Sequence, residues 1–148
     1  MELNIGLLET NSKLLKINLE LQDMAKQQHS QICDLFVPIL RDTSLLPTII
    51  QHTERALTTQ NYKERIRVEL FILIYLYSPI SLFSEDKAHR YKTDGRELRY
   101  IAEALNLRYS NMIKYKSSLL LYYRNYRDFR ELTNATFKTI ADTIELPV

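Results

Sequence analysis

The stretch TDGRELRYIAEALNLRYSNMIKYKSSLLLYY, residues 93–123, decides how this chain is read. Asp94 is placed to cap a helix, and Glu97, three residues on, to reach back to the exposed backbone N–H groups in a capping box. Leu98, Ile101, Ala102 and Leu105 then recur at spacings of three and four, forming one apolar stripe. Asn106 falls where the chain must turn, and asparagine tolerates the left-handed backbone that commonly ends a helix. Ser110 is expected to cap the next helix, in which Met112, Tyr115, Leu119 and Tyr123 repeat the same spacing. Two amphipathic helices joined by a tight turn are therefore predicted over about residues 94–123.

The pattern resembles the helix-turn-helix superfamily. In that family a small residue lies where the two helices touch, apolar residues flank it, and a turn residue follows four positions later. Ala102 supplies the small contact, Ile101 and Leu105 flank it, Asn106 takes the turn position, and Leu107 and Met112 would seal the pair. Two residues depart from the pattern: Asn106 stands where Gly is usual, and Ile113 falls where an outward-facing residue is expected. The run LLLYYRNYRDF, residues 119–129, is also similar to small proteins of phages and mobile elements of gut bacteria.

The resemblance implies double-stranded DNA as partner, with the early residues of the second helix at base edges and nearby basic groups on phosphates. On that reading Arg108, Tyr109, Ser110, Asn111, Lys114 and Ser117 face DNA, with Asn111 suited to adenine and Arg108 to guanine. Arg96, Arg99 and Lys116 are assigned to phosphate. Charge distribution points the same way. Residues 87–130 hold eleven Lys or Arg against four Asp or Glu, a local balance of +7, so the net +2 of the chain leaves −5 elsewhere. A basic half joined to an acidic half is the electrostatic footprint of nucleic-acid binding, although a solvated basic helix face has the same composition.

The 148 residues suffice for one core and are short for two domains. Two Gly and four Pro leave few breaks in a chain rich in Leu, Ile, Lys, Arg, Glu and Tyr, so the fold class is all-α, a helical bundle. Residues 1–37 are read as a long N-terminal helix and residues 38–148 as a helical domain. Cys33 has no second cysteine to pair with, which suits a reducing compartment, and a small buried hydrophobe is its ordinary role. No secretory signal is expected at the N-terminus, where acidic and polar residues interrupt the apolar run. A cytoplasmic location is the expectation.

Within residues 3–35, Leu7, Leu14, Leu21 and Leu35 lie seven or fourteen apart, with Leu3, Ile17 and Met24 on the companion line, as in the seam of a helix that pairs with a second copy. A homodimer through Leu7, Leu14, Ile17, Leu21 and Met24 is the expectation. Leu8, Leu15 and Leu19 lie outside the seam, so packing onto the helix's own domain is the alternative. Residues 44–59 predict a short helix started by Pro47, with Ile49, Ile50, Thr53 and Leu57 buried. Asn61 and Glu64 predict a cap for a helix running to about Tyr77, where Ser78 and Pro79 end it. Its segment LFILIYLY, residues 70–77, is apolar all round. That marks a central core helix, since a membrane span needs roughly 20 residues. Residues 80–92 read as a surface loop.

Beyond Tyr123, Arg124, Arg127 and Arg130 alternate with Tyr122, Tyr126 and Phe129; basic residues in register with aromatics suit a phosphate backbone, but a helix with aromatics inward and arginines outward has the same sequence and is the expectation. Residues 133–145 predict a last helix burying Phe137, Ile140, Ala141 and Ile144. No Gly-rich phosphate loop, metal-spaced Cys or His cluster, or nucleophile beside a base occurs, so neither enzyme, cofactor, metal nor small-molecule substrate is expected. His29 lacks a partner at metal-binding spacing, and His52 and Glu54, two apart, face different ways on a helix. Besides DNA binding, a helical assembly or adaptor protein remains open, since fold does not fix function.

Overall fold

Asn61 starts the helix around which the others pack. Its side-chain oxygen accepts the Glu64 N–H at 2.9 Å, satisfying an orphan donor of the first turn, and the helix runs Tyr62–Tyr77 until Ser78 and Pro79 stop it. Every residue from Leu70 to Tyr77 is buried. Each large apolar side chain placed there contributes on the order of 1.5–3 kcal/mol.

The computed structural model describes residues 3–20, 38–83 and 96–146, without the side chains of Ser12 and residues 14–20. Among the described residues the α-helices are α1 (Ile5–Glu20), α2 (Leu46–Ala56), α3 (Tyr62–Tyr77), α4 (Arg96–Ala104), α5 (Tyr109–Asn125) and α6 (Arg127–Ile144). Two 3-10 turns, Thr43–Leu45 and Pro79–Leu82, accompany them, and no strand occurs among the described residues. The fold is all-α. Helix α3 packs against α2, α4, α5 and α6, while α4 packs on α5 and α2 on α6. Phe71 of α3 stacks on Tyr123 of α5 at 4.9 Å and meets Phe129 of α6 edge-on at 6.3 Å. On the next turn Tyr75 meets Phe137 of α6 edge-on at 5.3 Å.

Helix α2 matches its sequence reading: Pro47 lies in the first turn, and Ile49, Ile50 and Thr53 are buried, as is Leu57, which caps its C-terminal end. In α6, Phe137, Ile140 and Ala141 are buried and Ile144 is half-buried. The segment before α2 is fastened to the end of α3. Leu40 N–H donates to the Leu76 carbonyl at 3.0 Å, and the Tyr77 hydroxyl to the Asp42 carbonyl at 2.8 Å.

Several expectations need correction. A long N-terminal helix is not shown: α1 has 16 residues, and residues 21–37, which include Leu21, Met24, His29, Cys33 and Leu35, lie outside the described residues. At its start Ile5 and Leu8 face inward and Leu7 of the expected seam is 50% exposed, which leaves the seam reading as it was. Leu14 and Ile17 lie within α1, their side chains outside the described set. The supposed surface loop begins inside the protein, because Ser81 and Leu82 of the second 3-10 turn are buried and the Ser78 and Ser81 hydroxyls bond at 2.7 Å; residues 84–92 lie outside the described residues.

The helix after Tyr123 is interrupted earlier than its pattern suggests. Tyr126 is extended, so α5 ends at Asn125 and α6 starts at Arg127. Arg130 donates to the carbonyls of Tyr123 and Arg124 at 3.4 and 3.2 Å and so closes the end of α5. Arg127 pairs with Glu131 at 2.8 Å. Of the three aromatics expected inside, Phe129 is buried, Tyr122 half-buried and Tyr126 exposed.

Candidate nucleic-acid interface

Helices α4 and α5 meet across a turn whose geometry follows from Asn106. Its φ of 56° puts it in the left-handed region, which asparagine tolerates better than most residues. With the backbone turned there, Asn106 N–H donates to the Glu103 carbonyl at 3.0 Å and Leu107 N–H to the Ala102 carbonyl at 2.8 Å. Those two bonds are a Schellman motif, which satisfies carbonyls at the end of α4. Asn106 thus performs the turn that Gly usually supplies. Ala102, 2% exposed, and Ile101 lie inside with Met112 of α5, while Leu105 and Leu107 pack against the core from its edge.

The start of α5 differs from its sequence reading. Arg108, extended, is the N-cap residue and contributes no side-chain cap; Ser110 lies exposed inside the first turn. Asp94, expected to cap α4, lies outside the described residues. Met112, Leu119 and Tyr123 form the inward stripe as expected, but the residue completing it is Lys116, with Tyr115 half-buried on the flank. At 7% exposure Lys116 belongs to the inner face and is withdrawn from the phosphate-facing set. Ile113 is half-buried and packs against the core, so the apolar residue at that position is accounted for by packing.

The remaining residues of the set are all exposed: Arg108, Tyr109, Ser110, Asn111, Lys114 and Ser117 along α5, and Arg96 and Arg99 on α4. Ser110, Asn111, Lys114 and Ser117 recur at helical spacing opposite Met112, Lys116 and Leu119. Arg99 joins the two helices, its guanidinium carbon 4.9 Å from the centre of the Tyr109 ring. Ser117 donates its hydroxyl to the Lys114 carbonyl at 2.7 Å, so that hydroxyl is engaged with its own helix. Exposed Tyr100 and Glu103 on α4 also border this face, a neighbourhood that sequence reasoning missed because it depends on how α4 is rotated against α5.

These features define an all-α protein with a tightly joined helix pair and a polar, basic outer face. Compared with known proteins, the chain matches no family model, no curated protein and no solved structure. Among the described residues no group of three or more His, Cys, Asp or Glu is placed to hold a metal ion. No helix among them is long and apolar enough to cross a membrane.

Proposed function

We propose that the chain is a DNA-binding protein, a small regulator or accessory factor of the phage or mobile-element kind, acting as a binder rather than a catalyst. The observation that carries this reading is the outer stripe of α5, where Ser110, Asn111 and Lys114 are exposed directly after the Asn106 turn while the inner stripe is held against α4 and α3. Helix α5 would enter the major groove, with Arg108 and Asn111 at base edges and Arg96, Arg99 and Lys114 at phosphates. Association of two copies through α1 would present two such helices to adjacent half-sites, and Leu7 is exposed for that contact.

Binding to a duplex selected from random DNA, compared with a scrambled control across a salt series, tests the reading. Lys114→Ala should weaken both complexes and reduce the salt slope by about 0.9, because a phosphate-facing lysine releases a counterion whatever the sequence. Arg108→Ala or Asn111→Ala should cost roughly 1–3 kcal/mol on the selected duplex and little on the control. If all three variants bind both duplexes as the parent does, the basic face is only solvated surface. The reading would then pass to a helical adaptor, for which the exposed Leu121 and Tyr126 beside the α5–α6 junction offer apolar contact.

A further inference from the structure

Away from the α4–α5 turn, Arg67 of α3 lies against the rings of Tyr115 and Tyr122 of α5, and among the described residues no hydrogen-bond acceptor serves its Nε or either hydroxyl. Arg67 of α3 is half-buried, its guanidinium carbon 4.4 Å from the centre of the Tyr122 ring and 5.9 Å from that of Tyr115. Tyr115 and Tyr122 are seven residues apart, two turns of α5, so both reach the same cation from one flank. Arg67 Nε is buried with no hydrogen-bond partner, and no carboxylate among the described residues pairs with this side chain. The three other tyrosines in this core have hydrogen-bonded hydroxyls: that of Tyr75 accepts from the Asn4 N–H, while those of Tyr77 and Tyr123 donate to the Asp42 carbonyl and to Asn134 Oδ1. Those of Tyr115 and Tyr122 bond to no described residue.

A partly buried cation without a counter-charge is costly, and ring faces offset that cost only in part. The rings also hold the guanidinium in place, leaving its planar fork of donors organised in advance for an oxyanion. A carboxylate would use both its oxygens on that fork. A phosphoryl group has further oxygens for the two phenol donors. We infer that Arg67, Tyr115 and Tyr122 bind a phosphate group, supplied by a phosphorylated small molecule or by a nucleic-acid backbone. Asn111, one turn before Tyr115, extends the same flank toward the candidate DNA face. The inference does not depend on that face.

The test uses the full-length chain labelled with nitrogen-15, with the Arg67 Nε–H resonance assigned by its loss in Arg67→Lys. Inorganic phosphate is titrated against chloride at matched ionic strength and pH, and a random duplex is titrated separately. The Arg67 resonance should move saturably. The Tyr115→Phe and Tyr122→Phe variants keep the rings that pack on Arg67, and each should weaken binding several-fold. Arg67→Gln should weaken phosphate binding at least about tenfold, read from the Tyr115 and Tyr122 ring resonances. Saturation by phosphate alone identifies a small phosphorylated ligand, whereas a response to the duplex only identifies the DNA backbone; either supports the site. Absence of saturable movement with both probes, or unchanged affinity in the double Tyr115→Phe, Tyr122→Phe variant, overturns it and leaves a packing stack. If Lys114→Ala leaves DNA binding intact while phosphate still titrates Arg67, the DNA reading fails and this site stands.

Discussion

Helices α3 and α5 are nearly equal in length, 16 and 17 residues, yet only α3 is enclosed. From Leu70 to Tyr77 it meets neighbours on all sides, and packing accounts for every residue in that run. Helix α5 turns Met112, Lys116, Leu119 and Tyr123 inward and leaves Ser110, Asn111, Lys114, Ser117 and Leu121 outside, where stability constrains residue choice weakly. The enclosed helix explains why the chain folds. The half-exposed one is where a function independent of folding can be written.

Substitutions can break or sharpen that contrast. Ala102→Glu should have the largest effect, because a carboxylate at a close helix contact would be both too large and unpaired. The α4–α5 pair should fail to form, and thermal denaturation followed by circular dichroism should show a much lower or absent transition; an unchanged melting temperature would mean the pair is not joined at Ala102. Phe71→Ala, at the aromatic junction of α3, α5 and α6, should cost about 3–5 kcal/mol in urea denaturation. A loss below 1 kcal/mol would show that α3 is less enclosed than its burial indicates.

Glu69 is the buried acidic residue of α3, 1% exposed with Oε1 lacking a hydrogen-bond partner. Burial pushes its carboxyl up to about 7; Glu54 adds to the rise and Arg65 opposes it. Below the ordinary value of 4.5 the group is protonated whether the chain is folded or unfolded, so it imposes no penalty there. As pH rises from there to about 7, the unfolded chain gives up the proton while the folded chain holds it, and stability falls until it levels off above 7. Glu69→Gln should therefore raise the melting temperature at pH 8 relative to the parent, with the gain shrinking as pH is lowered through this window. A gain that is the same across the window would place the carboxylate in contact with water. The smallest effect belongs to α5: Leu121→Ser, on its outer face, should change stability by no more than about 0.5 kcal/mol in the same urea assay.

Much of the architecture was legible without coordinates because its causes are local. The all-α class, the start of α3 at Asn61 and its end before Pro79, the burial of Ile49, Ile50, Thr53 and Leu57 in α2 and its C-cap, and the left-handed turn at Asn106 each follow from residues within one or two helical turns of each other. The composition of the α4–α5 outer face was legible too, since helical spacing separates Asn111 and Lys114 from Met112 and Leu119. What helical spacing leaves open is where the neighbouring helices stand around each axis. Tertiary packing decided that Lys116 rather than Tyr115 completes the inner stripe, that Leu8 rather than Leu7 faces the core, and that Glu69 is buried with the apolar residues after it. It also decided that Tyr126 breaks the chain between α5 and α6, where Arg130 reaches back to close the carbonyls, and that Arg67 lies against two tyrosines more than forty residues away. A helix carries its own period in its sequence, but the side chain that fills a given flank is chosen by whichever distant helix packs there.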